Sequence, residues 1–216
     1  MNCNHCHGTC IKKGWSKTTQ KYQCKVCLKY QRLEYVYQSY CVSDQQIVIL
    51  TKEGCGIKST GRILNISPIT VINRLLKIGD SLIRRVPVLL DGVYEVDELF
   101  TYLGNKKNRI CIAYSINQKT KEVIDIVVGK RNKTNLGKVI STLLLSKAKK
   151  IVTDKLNLYG ALIPQEIHST KHKGINRIER MNLNLRTHIK RLNRKTICYS
   201  KSLAVLLAIV KIYCWY

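Results

Sequence analysis

The chain has 216 residues, room for one medium domain and one or two small ones. Lysine and arginine number 38 against 13 acids, a formal net charge of +25 that draws the molecule to polyanions: nucleic acid first, with an anionic membrane surface as the competing reading. A bilayer span is excluded, because the longest apolar run, Leu203 to Val210, stops at Lys211 and suits a buried helix, and the polar N-terminus has no export signal, so a cytoplasmic protein is expected.

Composition divides the chain into residues 1–40, 41–86 and 87–216. The first segment is Cys-rich and lacks a long apolar run. Cys3-x-x-Cys6 and Cys24-x-x-Cys27 stand 17 residues apart, and each pair makes a tight knuckle offering two thiolates. Two such knuckles complete a tetrahedral sulfur site for structural Zn²⁺, not a disulfide framework, since the chain has no export signal. So short a segment buries too little to fold alone, so the metal would supply folding energy. Cys10, His5 and His7 lie near the pairs, and the choice between Cys3 and Cys10 stays open. Lys12, Lys13, Lys17, Lys21 and Lys25 suggest that this zinc ribbon also touches phosphate.

The second segment reads as three short helices. Ser43 with Gln46 three residues on has the capping-box form and opens the first, which Gly54 and Gly56 break. Lys58 to Leu64 is the second, Asn65 to Ser67 a turn, and Ser67-Pro68 the start of a third that runs toward Arg85. Val71, Ile72, Leu75 and Leu76 form its buried stripe. A tight turn before the last helix makes a helix-turn-helix pattern, with Thr70, Asn73 and Arg74 near base edges in a major groove. A plain helical hairpin linking two domains is the alternative.

The third segment alternates strand and helix signals. Val93 to Gly104, Arg109 to Asn117 and Glu122 to Val128 are rich in β-branched and aromatic residues and form an antiparallel meander. Asn135 to Ala148 has the helical period, "KKIVTD" is a short strand ending at Asp154, and a helix is expected from Ile175 to Leu192, with at least one more after it.

Acids are scarce enough to name: Asp91, Glu95, Asp97, Glu98, Glu122, Asp125, Asp154, Glu166 and Glu179 in this segment, with none after Glu179. Phosphodiester chemistry with Mg²⁺ needs two or three carboxylates converging from different elements. Asp154 ends a strand, where open sheets place functional groups. Alternation puts Glu95 and Asp97 on one face of their strand and Glu98 on the other. Glu179, alone among the arginines of its helix, could equally be a surface ion-pair partner. Asp97, Asp154 and Glu179 can meet; Glu98 and Asp125 are the substitutes.

"VDELFTYLGNKKNR", "VTDKLNLYGALIP", "HSTKHKGINRIERMNLNLRTHIKRLNRKT" and "CYSKS" together resemble transposases of the insertion-sequence-one type. These are DDE transposases with a zinc ribbon, a helix-turn-helix and a ribonuclease-H-like core, so the resemblance spans essentially the whole chain. It implies an α/β catalytic core, a mixed sheet flanked by helices, over 87–216, behind the ribbon at 1–40 and the helix-turn-helix at 41–86. It implies Asp97, Asp154 and Glu179 as catalytic ligands of Mg²⁺ or Mn²⁺, with Glu98 beside Asp97. His168, eleven residues before Glu179, becomes a phosphate or metal-shell contact, with His172 as competitor. Phe100 and Ala204 depart from the family pattern, where Trp and an acid are expected.

The implied reaction is metal-dependent cleavage of DNA at an element's ends, then strand transfer into target DNA. Arg177, Arg180, Arg186, Lys190 and Arg191 would neutralise phosphates near the site. The implied partners are double-stranded DNA, both element ends and target, and further copies of the chain, since joining two ends to one target usually takes more than one subunit. Two other readings fit the same residues: a DNA-binding repressor derived from a decayed transposase, and a ribonuclease-H-like nuclease without strand transfer.

Overall fold

A computed structural model of the chain describes residues 1–16, 19–32, 42–83, 90–170 and 176–216. Lys17, His172 and the Arg85 end expected for the third helix lie outside the described residues. The chain forms two compact units, Met1–Cys41 and Val42–Tyr216.

In the first unit, strands β1 (Cys10–Ser16), β2 (Thr19–Cys24) and β3 (Tyr30–Arg32) form an antiparallel sheet in that order. Among the described residues its core is Cys3, Cys10 and Cys24, with Tyr22 and Cys27 packed against them. Gln31, 2% exposed, accepts from Asn4 N at 2.8 Å and donates to Asn2 O at 2.9 Å. A buried amide satisfied at both ends ties the N-terminal knuckle to β3.

The second unit opens with α1 (Asp44–Lys52), α2 (Ile57–Ile63) and α3 (Pro68–Ser81). The capping box at Ser43 and Gln46 is formed, and Ser67 caps α3 with Pro68 in its first turn. Asn65 takes the left-handed conformation in the turn between α2 and α3. A five-stranded sheet follows, built from β4 (Val93–Leu103), β5 (Asn105–Asn117), β6 (Val123–Gly129), β7 (Lys150–Val152) and β8 (His168–Ser169) in the order β6-β5-β4-β7-β8. The meander β4–β6 is antiparallel, whereas β7 and β8 run parallel to β4. The expected mixed sheet is therefore present. Helices α4 (Lys133–Leu145), α5 (Asn157–Gly160), α6 (Asn176–His188) and α7 (Leu203–Trp215) flank it. Helix α6 is shorter than expected: Ile189 is extended and a 3₁₀ turn, Lys190–Leu192, follows, so that Ile189 and Leu192 still reach the core.

Strand alternation gives the sheet two apolar faces. Tyr94, Val96 and Ala113 pack with Leu136, Val139, Ile140 and Leu143 of α4. On the other face Leu99, Ile112 and Tyr114 join Ile178 and Leu185 of α6 and most of α7. The same core takes in Ile47 and Val48 of α1 and Val71, Leu75 and Ile78 of α3. The helices expected as a domain over 41–86 thus share a core with the sheet. Helix α7 causes this, since it packs on α1 and α3 and also on β6. A helix apolar on every side must be enclosed, and Leu206 and Ile212 are 0% exposed. A Cβ at Gly79 would stand 2.5 Å from Ala208 Cβ, so α3 reaches α7 only because Gly79 has no side chain. Leu206→Ala would cost about 2–5 kcal/mol. Among the described residues no helix is long and apolar enough to cross a membrane.

Candidate active site

Strands β4 and β7 pair from Val93↔Lys150 to Glu95↔Val152 and then part. Asp97 and Glu98 lie just past that point on β4, and Asp154 just past it after β7. The parting strands leave a crevice at the carboxyl end of the parallel pair. There the carboxylates of Asp97, Glu98 and Asp154 offer oxygens that all lie within 4.8 Å of one another. Neighbours on a strand point to opposite faces, yet both Asp97 and Glu98 reach this crevice.

Each acid is held by a different element. Asp97 Oδ1 accepts from Glu98 N at 2.7 Å, and Asp97 Oδ2 from Asn182 Nδ2 of α6 at 2.7 Å. Tyr114 OH donates to Asn182 Oδ1 at 2.9 Å, so the amide's nitrogen is the end left for Asp97. Leu156 N donates to Asp154 Oδ1 at 3.0 Å. Tyr159 OH of α5 donates to Glu98 Oε1 at 3.0 Å. Burial raises the pKa of Asp97, and the charges of Asp154 and Glu179 raise it further. Glu98 is pushed up to about 7, chiefly by burial, with Asp154 and Asp97 adding to it. Among the described residues none of the three clustered acids has a Lys or Arg in ion-pair contact, and the more distant charges of Arg131 on Glu98 and Arg186 on Asp97 offset their repulsion only in part.

Glu179 lies outside the 4.8 Å group, but it lines one cavity with Asp97, Glu98, Asn182, Arg186 and Arg194, of about 620 Å³. The helix that carries it is tied to β4 by Glu95. That carboxylate is 0% exposed and accepts from Ile178 N, in the first turn of α6, at 2.9 Å. Gln118 Nε2 donates to Glu95 at 3.2 Å, and Arg177 stands 3.7 Å away. A first-turn N–H has no partner within its own helix, so Glu95 both satisfies it and fixes α6 beside Asp97. Asp125 stands apart: it accepts from Thr142 Oγ1 of α4 at 2.7 Å.

His168 lies on β8, where its Nε2 meets Thr153 Oγ1 at 2.8 Å, and burial lowers its pKa. Its contact is with the residue before Asp154, not with the carboxylates themselves. Of the predicted basic contacts, Arg186 lines the acidic cavity, and Arg180 is exposed on α6. Lys190 lines a separate cavity with Lys52 and His188. Arg177 faces Glu95, and Arg191 Nη1 donates to Ser200 Oγ at 2.9 Å. Arg74 pairs with Asp44 at 3.1 Å and donates to Val42 O, so it braces α3 against α1; Asn73 is exposed and Thr70 bonds to Ser67. Arg74 and Arg191 thus each have protein partners. Asn182, Tyr114, Tyr159 and the role of Glu95 were not read from the sequence; Asn182, three residues after Glu179 on one helix face, is the one that helical spacing could have found.

In the first unit the sulfurs of Cys3, Cys6, Cys24 and Cys27 lie within 4.8 Å of one another. Cys3 pairs with Cys27 at 3.5 Å and Cys6 with Cys24 at 3.4 Å. Cys10 is outside the group; its thiol faces Gly8 O at 3.9 Å, and burial raises its pKa. Backbone N–H groups of Cys27 and Val26 hold Cys24 down to about 6. Amides pointed at sulfur stabilise thiolate, the ligand form for a soft divalent ion.

Comparison with known proteins bears on the second unit. Residues 92–214 match the family model described as IS1 transposase. The chain is 34% identical over 113 residues to the insertion element iso-IS1n protein InsB of Shigella dysenteriae, covering 52% of this chain and 86% of that one. It is 35% identical over 108 residues to the insertion element IS1 4 protein InsB of Escherichia coli K12, covering 50% of this chain and 65% of the relative. Among solved structures it is distantly similar to the HTLV-2 integrase catalytic core domain in complex with magnesium, at 20% identity, covering 58% of this chain and 84% of that one, with a TM-score of 0.35. A chain of the simian T-cell lymphotropic virus intasome in complex with PP2A regulatory subunit B56 gamma gives 16% identity, 76% and 66% coverage and a TM-score of 0.38.

Proposed function

Because this chain belongs to the IS1 transposase family, we propose that it cuts and rejoins DNA at an insertion element's ends, using Asp97, Asp154 and Glu179. One observation carries the reading: in a chain of net charge +25, Asp97, Glu98 and Asp154 converge within 4.8 Å without an ion-pair partner among the described residues. Repelling carboxylates are unstable neighbours unless a cation joins them. An all-oxygen donor set suits Mg²⁺ or Mn²⁺, which when bound would neutralise the phosphodiester and stabilise charge on its entering and leaving oxygens.

The chain's own groups do the positioning. Asn182 and Glu98 N orient the Asp97 carboxylate, and Leu156 N orients that of Asp154. Glu95 holds α6 so that Glu179 faces the same cavity as Asp97. Arg186 and Arg180 neutralise flanking phosphates, with Lys190 and Arg177 further along the strand. Two displacements follow at phosphorus. In the first a water oxygen bonds to phosphorus, and the bond to the 3′ oxygen at the element's end breaks, freeing a 3′-hydroxyl. In the second that hydroxyl bonds to a target phosphorus and displaces a target 3′ oxygen.

The remaining parts hold DNA. Cys3, Cys6, Cys24 and Cys27 bind structural Zn²⁺, and α1–α3 act as a helix-turn-helix with Thr70 and Asn73 toward base edges and Arg74 as its brace. Two ends and one target call for a homo-oligomer on DNA. The test compares wild type with Asp154→Ala on DNA carrying the element's ends, in Mg²⁺. Products from wild type and a loss of at least about 100-fold in the variant are expected, beyond the usual effect of an outer-shell partner. Equal strand transfer by both would sink the assignment, and binding without cleavage by wild type would favour the repressor reading.

A further inference from the structure

A second cavity of about 320 Å³ adjoins the acidic one, and Arg186 and Arg194 line both. Its other walls include Lys106, Lys195, Tyr102 and Tyr199, and among the described residues no carboxylate lines it. Burial lowers the pKa of Arg186, and the nearby charge of Arg194 lowers it further, against the opposite pull of Asp97. Arg186 Nε is buried with no hydrogen-bond partner, and neither guanidinium has an ion pair among the described residues. Arg186 faces Asp97 through the acidic cavity, but the second cavity gathers Lys106, Arg194 and Lys195 with no carboxylate in its described lining, and such cations suit an anion that bridges them. Tyr102 and Tyr199 are half-buried and meet edge-on with centroids 5.6 Å apart, which fixes them as a rigid wall. Phe100, also in the lining, already carries Arg109 at 4.0 Å and Arg131 at 5.2 Å. The tyrosines are therefore the aromatic surface left for a ligand.

Resting on the transposase reading, we propose that this cavity is a subsite for one unpaired nucleotide of the DNA strand adjoining the reacting phosphodiester. Arg194, Lys106 and Lys195 hold its phosphate, and its base lies against Tyr199 and Tyr102. The size selects this occupant: the cavity is at the small end of ligand sites and takes a single nucleotide, not a duplex. Aromatic contact tolerates any base, because every base has a π-face.

The test uses the full chain and fluorescein-labelled DNA without added Mg²⁺, so that no strand is cut. Affinity is read by anisotropy for a blunt duplex and for the same duplex extended by a short run of unpaired thymidines. Wild type is expected to prefer the extended DNA by about tenfold, the usual scale for losing or gaining one stacked base. Tyr199→Phe keeps that ratio, while Tyr199→Ala and Arg194→Ala bring it close to one. A wild-type ratio near one, a ratio kept by both alanine variants, or one lost equally in Tyr199→Phe overturns the subsite. If wild type shows no preference yet still cuts element ends in Mg²⁺, only the subsite falls. If it binds neither DNA, the transposase reading falls with it.

Discussion

The two ligand clusters invite comparison. Each gathers candidate ligand atoms of one kind within 4.8 Å, sulfurs in the first unit and carboxylate oxygens in the second. They differ in what holds them there. The cysteines come from two local knuckles whose core, among the described residues, is little more than the cysteines themselves, whereas Asp97 and Glu98 stand on a strand, and Asp154 just after one, in a sheet pinned by two apolar layers. A cluster without a core needs its ion to exist; a cluster on a core exists first and then attracts its ion. On the proposed reading the first would serve structure and the second chemistry, where ions must come and go with substrate.

The largest effect expected from this contrast is in the ribbon. Structural zinc supplies roughly 10–16 kcal/mol in small domains, far more than three strands can supply alone. Cys24→Ser should lose zinc and expose residues 1–41 to protease, while the region from Val42 onward stays protected. Metal analysis with limited proteolysis reads both, and a variant that keeps zinc and resistance would end the idea that the metal folds this unit. The carboxylate cluster should behave the opposite way: Asn182→Ala leaves the fold in place but frees Asp97 Oδ2. A fall of about 10–100-fold in Mg²⁺ affinity or cleavage is expected, the usual effect of removing an outer-shell partner. Tyr114→Phe should show a weaker loss in the same direction, since it leaves Asn182 in place and removes only the hydroxyl that orients it and also meets Ile178 O at 3.2 Å. Unaltered Mg²⁺ dependence in both would break the link between that network and the site.

The smallest effect concerns pH. Glu98 rises from 4.5 to about 7, mainly through burial, and Asp97 moves the same way. Between those values the folded chain keeps a proton that the unfolded chain has released. Stability should therefore fall as pH rises from 4.5 to 7 and level off above. A divalent ion competes with that proton, so added Mg²⁺ should raise the melting temperature by about 2–4 °C above pH 7 and much less near pH 5. Glu98→Gln should flatten the profile; an unchanged slope would mean that the carboxyl does not titrate there.

How far the sequence could be read follows the same contrast. The Cys-x-x-Cys spacing is local, and the four sulfurs are grouped where it placed them, with Cys10 left out. The capping box at Ser43 and the Ser67-Pro68 start were equally local and equally visible. The carboxylates were harder. Alternation set Asp97 and Glu98 on opposite faces, and nothing local says that β4 and β7 part after Glu95 and let both acids into one crevice. Strand β8 is only two residues long and exists through pairing with Ile151 and Val152, so it has no pattern of its own. Strand β5 begins at Asn105 instead of Arg109 because a polar, exposed hairpin extension looks like a loop. The core that 41–86 shares with the sheet was hidden for a similar reason: the apolar stripe of α3 is plain, but its partner in α7 lies far along the chain.

That distant partnership also sets a timetable. Helices α1 and α3 leave the ribosome long before α7, and until Leu203–Trp215 arrive Val71, Leu75 and Ile78 have only the small surface of α1 and α2 to pack on. Contacts so remote in sequence form late and slowly. During synthesis the helices proposed to grip DNA and the sheet carrying the carboxylates stay incomplete together, and the same closing helix finishes both. A nascent chain could then neither hold DNA through α3 in its final form nor cut it, so the two abilities would mature in one step.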